Sequence, residues 1–158
     1  MKILVVYYSR TGNSRKVAQA ISNAFKCDIE EIVDSKNRKG IIGWLMAGRD
    51  STLGLFTKNR DITKPLDDYD MVIVGGPIWA FTISVPVSTF LNDHGDKIKN
   101  AAFFCTEGSV GHENAFKKMA SILGKDPAAT LVVSEKELKN ESYKGKISDF
   151  ADQIRTKA

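Results

Sequence analysis

A short polar loop follows the first apolar run of the chain and leads straight into an amphipathic segment. Its hydroxyl, amide and guanidinium groups surround one glycine, in the order Ser9, Arg10, Thr11, Gly12, Asn13 and Ser14. A helix N-terminus leaves backbone N–H groups without partners and carries a positive partial charge, so such a loop can bind a phosphate dianion without a lysine. The alternative is an ordinary capped turn between a strand and a helix. Neither GxxxxGK nor GxGxxG occurs here.

A second loop carries aromatic side chains and follows the third predicted strand. After two glycines, its candidate ligand-binding residues are Pro77, Ile78, Trp79, Ala80, Phe81 and Thr82. The indole of Trp79 can form a stacking wall for a flat ligand, worth about 0.5–1.5 kcal/mol beyond the area that it buries. The alternative is that Trp79 covers the edge of the sheet or packs on a helix over residues 40–50.

A third loop, small and rich in glycine, follows the fourth predicted strand. Its candidate residues are Thr106, Glu107, Gly108, Ser109 and Gly111. Their backbone N–H and C=O groups can bind the polar edge of a heterocycle. The three loops together predict one site at the carboxyl edge of a sheet, which is where open α/β sheets bind ligands.

Short apolar runs alternate with amphipathic segments along the whole chain. Runs of strand length occur at residues 3–8, 28–34, 71–75, 101–106 and 129–134, the second of them half-polar and predicted at an edge. Helices are predicted from residue 13, over 40–50, from Pro86 to Gly95, up to Gly124 and from Tyr143 onwards. Apolar strands separated by helices predict a parallel sheet covered on both faces, in one domain of residues 1–158.

Composition and charge narrow the class of protein. The chain has 158 residues and a formal net charge of +4, and its 42% of hydrophobic residues exclude a disordered chain. Its two cysteines do not form a CxxC pair, which excludes a disulfide framework and a cysteine-based zinc site. We expect no metal site, and no membrane insertion because no apolar run approaches the length of a membrane span. The first apolar run, at residues 3–8, is too short for the core of a signal peptide, so we expect a cytoplasmic location. Residues 36–64 hold seven basic and two acidic side chains, a segment that favours an anionic partner. No nucleic-acid motif accompanies it, so we expect no nucleic-acid partner.

The three loops resemble those of the flavodoxin-like family, whose members bind FMN. Residues 8–14 (YSRTGNS) are similar to the family's phosphate loop, and residues 76–82 (GPIWAFT) and 106–111 (TEGSVG) to its two flavin loops. The resemblance covers essentially the whole chain. It implies a three-layer open sandwich with five parallel strands in the order 2-1-3-4-5. It also implies noncovalent FMN, with its phosphate at residues 9–14 and its isoalloxazine between the other two loops, and it assigns no catalytic side chain.

The sequence differs from electron-carrying flavodoxins in ways that leave its role open. Ser14 replaces the usual threonine, the third loop lacks a stacking tyrosine, and the isoelectric point is near 9.0 where theirs is acidic. We expect an FMN-binding redox protein that transfers electrons to a redox partner protein. The alternatives are an NAD(P)H-dependent quinone or flavin oxidoreductase with a small acceptor, and a non-catalytic FMN sensor. The chain is expected to be a monomer or a homodimer.

Some further side chains receive structural interpretations. An apolar stripe within residues 40–50 contains Ile41, Ile42, Trp44, Leu45 and Met46. We expect this stripe to pack against the sheet, with a dimer contact as the alternative, and we expect Trp44 to lie near the flavin. His112 is interpreted as the start of a helix and Cys105 as a small buried residue. The ends of the first and third predicted strands, at residues 7–9 and 74–76, lack the carboxylates of a phosphoacceptor receiver domain.

Overall fold

Five parallel strands form the centre of the fold. The computed structural model describes residues 1–36, 40–108 and 110–157. The strands are β1 (Ile3–Tyr7), β2 (Asp28–Glu31), β3 (Met71–Trp79), β4 (Thr82–Ile83), β5 (Ala101–Glu107) and β6 (Thr130–Ser134). The parallel strands lie in the order β2-β1-β3-β5-β6, and β4 pairs only with β3, in the antiparallel sense. With β4 set aside, this is the predicted order 2-1-3-4-5, with the half-polar strand β2 at an edge as expected.

Helices cover both faces of the sheet. They are α1 (Asn13–Phe25), α2 (Gly40–Thr52), α3 (Val85–His94), α4 (His112–Leu123), α5 (Glu135–Asn140) and α6 (Tyr143–Lys157). Gly124 ends α4 with a φ of 69°, the left-handed conformation predicted for it. The sequence pattern does not predict α5, which begins with a capping box between Ser134 and Glu137. No helix in the described ranges has both the length and the hydropathy needed to cross a membrane.

Alternate side chains of β1 enter two separate cores. Leu4 and Val6 belong to the cluster that includes side chains of α3 and α4, whereas Ile3 and Val5 belong to the cluster that includes α1 and α6. The two-residue period of a strand requires this alternation. On α6, the predicted inward residues are all buried: Tyr143, Ile147, Phe150, Ala151 and Ile154. The predicted three-layer α/β sandwich is thereby confirmed.

The third strand is longer than its apolar run predicts. The run ends at Gly75, but β3 continues to Trp79 and turns back through Ala80 and Phe81 into β4. Both turn residues are left-handed, with φ of 47° for Ala80 and 64° for Phe81. Two such residues make the tight hairpin turn that usually selects asparagine and glycine. The predicted loop over residues 77–82 is therefore a hairpin that extends the sheet.

The apolar stripe of α2 does not pack against the sheet, contrary to expectation. Its large side chains are between 58% and 80% exposed: Ile41, Ile42, Trp44 and Leu45. The helix buries its opposite side instead, through Gly43, Ala47, Asp50 and Ser51. A helix lies closest to its neighbours on the face with the smallest side chains. The expectation was wrong because the periodicity identifies the helix without identifying what covers its apolar side.

Candidate functional site

The first polar loop forms the N-terminus of α1. Gly12 is the N-cap, with a left-handed φ of 102°, and its N–H donates to the Ser9 hydroxyl at 3.1 Å. The first intrahelical bond runs from the Lys16 N–H to the Gly12 carbonyl at 3.0 Å, so the N–H groups of residues 13–15 precede it. Among the described residues, no side chain caps this end. These backbone N–H groups can therefore receive an anion.

A cleft of about 170 Å³ opens at this helix end and brings the three predicted loops together. Its walls are Ser9, Arg10, Thr11, Asn13, Ser14, Trp44, Pro77, Ile78, Trp79, Thr106, Glu107, Gly108 and Glu135. Sites for small molecules typically span about 300–1,000 Å³. A ligand of the size of a flavin nucleotide would therefore extend out of the enclosed part and keep one region open to a partner.

Some predicted residues stand away from the wall of this cleft. Those in the described part of the chain are Gly12, Ala80, Phe81, Thr82 and Gly111. The side chain of Phe81 is 63% exposed, because the left-handed hairpin turn directs it to solvent. Phe81 therefore does not line this cleft, and its predicted contact with a ligand stays a prediction. Ser109, also predicted, lies outside the described residues.

Two cleft residues come from outside the predicted loops. Trp44 of α2 lines the cleft, which agrees with its expected place beside the ligand. Glu135 begins α5 directly after β6, so it lies at the same carboxyl edge of the sheet. The strand-end rule that selects the three loops also applies to this position, and it could have identified Glu135.

A buried hydrogen bond joins the first loop to the third. The hydroxyls of Ser14 and Thr106 are 2.7 Å apart, and the two residues are only 1% and 5% exposed. Each hydroxyl satisfies the other where water does not reach, so the bond fixes the α1 end of the cleft to the end of β5. The first and third loops are therefore held in a fixed position relative to each other.

The indole of Trp79 packs against the ring of Tyr8. It is 7% exposed, and its ring meets Tyr8 edge to face, with 5.4 Å between centroids and 88° between planes. This packing partner lies after β1, and not on the helix over residues 40–50 that the sequence offered as the alternative. Trp79 also lines the cleft, so the contact with Tyr8 fixes the orientation of one cleft wall.

Glu107 links the cleft to the start of α4. Its carboxylate accepts the His112 backbone N–H at 3.2 Å and lies 2.9 Å from His112 Nδ1. Gly111, the N-cap of α4, has no side chain to perform this role. Glu107 thus stabilises the helix N-terminus and places a buried carboxylate at the cleft. His112 begins α4 as expected, and it contacts the cleft residue that the sequence singles out.

Two glycines allow the loops to approach one another closely. A Cβ at Gly111 would lie 2.9 Å from the Cα of Phe81, and the φ there is 127°. A Cβ at Gly76 would lie 2.8 Å from a methyl group of Val87 and 3.2 Å from the carbonyl of Tyr8. A side chain at either position would meet these atoms, so both glycines are required by contact, and Gly111 is required by conformation as well.

Cys105 is fully buried, as expected. Burial raises the pKa of its thiol, and the nearby charge of Glu107 raises it further. The thiol therefore stays protonated at neutral pH, which removes it as a nucleophile or metal ligand in this state. Within the described ranges there is no cluster of side chains that could hold a metal ion.

Much of the charge in the basic segment is paired within the protein. Lys36 and Arg49 both contact the buried carboxylate of Asp50, at 3.3 and 2.8 Å, and Lys64 contacts Asp28 at 3.7 Å. Arg38 and Lys39, also counted in this segment, lie outside the described residues. The segment therefore offers less free charge to a partner than its composition suggests.

Comparison with protein families decides the assignment of the chain. The family model Flavodoxin_4, described as Flavodoxin, matches residues 2–154. The chain belongs to this flavodoxin family. No curated protein sequence matches it.

Solved structures share the fold at low sequence identity. A flavoprotein from Lactobacillus acidophilus NCFM in complex with FMN has a TM-score of 0.73 at 20% identity, over 89% of this chain and 98% of its own. A candidate flavoprotein from Bacteroides eggerthii DSM 20697 has a TM-score of 0.74 at 20% identity, over 95% and 98%. A WrbA-like flavodoxin from Agrobacterium tumefaciens has a TM-score of 0.60 at 17% identity, over 99% of both chains. At these identities the similarity shows the fold.

Proposed function

We propose that this flavodoxin-family chain binds FMN noncovalently in the cleft and acts as a redox protein through it. One observation carries the proposal. A single cleft joins the uncapped N-terminus of α1, the indoles of Trp44 and Trp79, and the backbone of the third loop at Gly108. These parts match the phosphate, the flat ring system and the polar ring edge of FMN. The FMN complex of the Lactobacillus relative supports the choice of cofactor.

The residues of the cleft divide the work of binding. The N–H groups of residues 13–15 and the hydroxyls of Ser9 and Thr11 suit the phosphate, and Arg10 adds positive charge at the same wall. Bound FMN supplies the electron chemistry, while the protein contributes orientation, access and charge. The carboxylate of Glu107 adds negative charge at the wall of the cleft, where it disfavours a more negative, reduced ring.

Flavin titrations of the apoprotein test this proposal. Quenching of flavin fluorescence by FMN, riboflavin and FAD measures the three affinities. We expect tight FMN binding and much weaker riboflavin binding, because riboflavin lacks the phosphate. Thr11→Ala should weaken FMN binding and leave riboflavin binding unchanged. The matched control is Ser22→Ala, at the far end of the same helix, which should change neither affinity. Equal affinities for FMN and riboflavin would contradict the phosphate site, and absence of FMN binding would refute the proposal.

A reductase that uses NAD(P)H is the second candidate function. The observation that favours it is the open space beside the cleft. Phe81 points to solvent, and a further cavity shares Trp44, Ile78 and Trp79 with the cleft. Rapid mixing of the FMN-loaded protein with NADH or NADPH, followed by flavin absorbance, separates the two roles. Rapid reduction of the bound flavin by either nucleotide supports the reductase. If neither nucleotide reduces the flavin, the result supports electron transfer from a protein donor.

The partners follow from the same choice and are part of the proposal. An electron-transfer role requires a redox partner protein that docks through a small, transient interface. A reductase role requires NAD(P)H and a small acceptor. For the quaternary state we propose a monomer or a homodimer, which sedimentation of the FMN-loaded chain distinguishes.

A further inference from the structure

Exposed apolar side chains are concentrated in one segment of the chain. Of the eleven large apolar side chains that are exposed in the described residues, seven lie between Ile41 and Phe56. Single exposed apolar residues are normal on a protein surface, whereas a concentration of them marks a surface that contacts another molecule. Trp44 lines the flavin cleft, and the other six do not: Ile41, Ile42, Leu45, Leu53, Leu55 and Phe56.

The exposed side of α2 is its apolar side. Residues 41, 45, 49 and 53 follow one another at intervals of four, so they share one ridge of the helix. The Leu53 N–H donates to the Arg49 carbonyl at 3.0 Å, which continues the helical spacing to the end of this ridge. Ile41 is 80% exposed. The ridge is therefore apolar around one arginine, and the protein leaves it open to solvent.

The segment after α2 adds two cations to the exposed region. Backbone hydrogen bonds at Lys58 and Arg60 hold it in an extended form beside residues 33–35. Successive side chains of an extended segment point to opposite sides. The Asn59 amide points inward and donates to a carbonyl of α3, whereas Phe56, Lys58 and Arg60 are all exposed. Neither cation pairs with a carboxylate of the described ranges.

The apolar ridge and the cations adjoin. Gly54 has a left-handed φ of 63°, and the backbone after it folds back to bond with the Asp50 carbonyl, so the extended segment starts at the C-terminal end of α2. Lys36 and Arg49 both contact the buried Asp50 carboxylate, so two cations share one anion there. The exposed side chains of residues 41–60, Trp44 apart, are called the 41–60 surface below. This surface is both apolar and positively charged.

Charge decides which partner fits the 41–60 surface. In a symmetric dimer, the same surface of each copy meets the other. Lys58 and Arg60 would then approach the cations of the second copy, and like charges across an interface oppose binding. The surface of an anionic bilayer fits both features, because apolar side chains enter the boundary between headgroups and acyl chains while lysine and arginine are attracted to the lipid charge.

We propose that the 41–60 surface binds the face of a bilayer that contains anionic phospholipid. The contact is interfacial: the apolar ridge enters the headgroup boundary, and no segment spans the bilayer. The proposal goes beyond the proposed function and does not depend on it, since none of these side chains lines the flavin cleft. It also gives a role to the exposed ridge of α2 and to the cations of residues 36–64 that lack a partner within the protein.

Co-sedimentation of the full chain with vesicles, in the presence of FMN, tests the inference. Vesicles of equal parts phosphatidylcholine and phosphatidylglycerol should bind the protein, and phosphatidylcholine alone should bind it far more weakly. Ile41→Ser should weaken binding to the mixed vesicles about tenfold, because it removes an apolar side chain from the contact. Lys58→Gln combined with Arg60→Gln should weaken it about 25-fold, about fivefold for each charge. Added salt should weaken it as well.

A matched control makes the same change of charge elsewhere. Lys139→Gln combined with Lys157→Gln removes two exposed cations of α5 and α6. These helices pack in the core on the other face of the sheet from the core that includes Ala47 of α2. The affinity of this variant for the mixed vesicles should therefore stay within about twofold of the unmodified chain. Unfolding temperatures are measured first, and because all five substituted side chains are exposed, we expect them unchanged.

Several outcomes would overturn the inference. They are no binding to the mixed vesicles, equal binding to both kinds of vesicle, and an equal effect of the control and the Lys58 and Arg60 variant. Binding that Ile41→Ser leaves unchanged would show only the attraction of a basic protein to negative charge. A dimer that Ile41→Ser dissociates, with no vesicle binding, would assign the surface to a second copy. Failure to bind FMN would refute the proposed function and leave vesicle binding as a separate result.

Discussion

The hydrogen bond between Ser14 and Thr106 gives the sharpest test of how the cleft is held together. Thr106→Val replaces the hydroxyl by a methyl group of similar size and leaves the Ser14 hydroxyl buried without a partner. An unsatisfied buried hydroxyl costs about 1–3 kcal/mol. Because both residues are nearly inaccessible and the oxygens are 2.7 Å apart, we expect about 2 kcal/mol for Thr106→Val and a similar loss for Ser14→Ala.

Urea unfolding of the apoprotein measures these losses. With a denaturant slope of about 2 kcal/mol per molar, a typical value for a small domain, each single variant should lower the midpoint by about 1 M. The double variant removes both hydroxyls together, so it should be less destabilised than the sum of the singles by about 1–2 kcal/mol. Losses that add to within about 0.5 kcal/mol would refute the direct bond.

A control separates stability from ligand binding in this experiment. Ser22→Ala removes the half-buried bond from the Ser22 hydroxyl to the Cys27 carbonyl, 2.7 Å long and remote from the cleft. We expect it to destabilise the apoprotein and to leave FMN affinity unchanged. Thr106→Val should reduce both, because it loosens two walls of the cleft. If both variants changed FMN affinity equally, the effect on binding would come from global stability.

Four further substitutions have expected outcomes. Gly12→Ala should lower the free energy of unfolding by about 1–2 kcal/mol and weaken FMN binding, because the φ of 102° at residue 12 is unfavourable for alanine. Urea unfolding and flavin titration measure the two effects. Ala80→Gly should raise the unfolding free energy by about 0.5–1 kcal/mol in the same assay, because relief of the left-handed strain exceeds the added entropy of the unfolded chain. Burial and a hydrogen bond to Asp28 raise the pKa of Tyr69 from 10.0 to about 12. The stabilisation that Tyr69 gives to the folded state is therefore complete below pH 10 and is lost as the pH rises towards 12. Tyr69→Phe should flatten this alkaline decline in the free energy of unfolding, and an unchanged decline would contradict the prediction. Glu107→Gln should raise the midpoint potential of bound FMN, by about 100 mV if the charge lies about 6 Å away at an effective dielectric constant near 20. Potentiometric titration measures this potential, and a lower potential in the variant would contradict the prediction.

The helices and strands that bury one continuous side could be predicted from the sequence. The inward positions of α6 repeat with the period of a helix, and the structure buries all five of them. Gly124 marks the end of α4 because only a left-handed residue closes that turn well. The strand order came from the resemblance, because alternation of strands and helices by itself allows several orders.

What the sequence could not predict depends on contacts between distant segments. The hairpin after β3 uses Ala80 and Phe81 in a turn that normally announces itself by asparagine and glycine, so its residues indicate a loop. The exposure of the α2 stripe depends on which neighbour lies against that helix. The bond between Ser14 and Thr106 joins residues 92 positions apart in the chain. Pattern and composition carry no information on any of these three.

The contacts between the loops indicate why the motif residues occur together. Gly111 lets the third loop lie against the backbone of Phe81, Gly76 lets the second lie against Tyr8, and Ser14 bonds the first to the third. Each loop therefore limits the positions open to the other two. A cleft held in this way is shaped before its ligand arrives, so less ordering entropy is lost on binding. Substitutions at these contacts should consequently affect the neighbouring loop as well as the loop that they change.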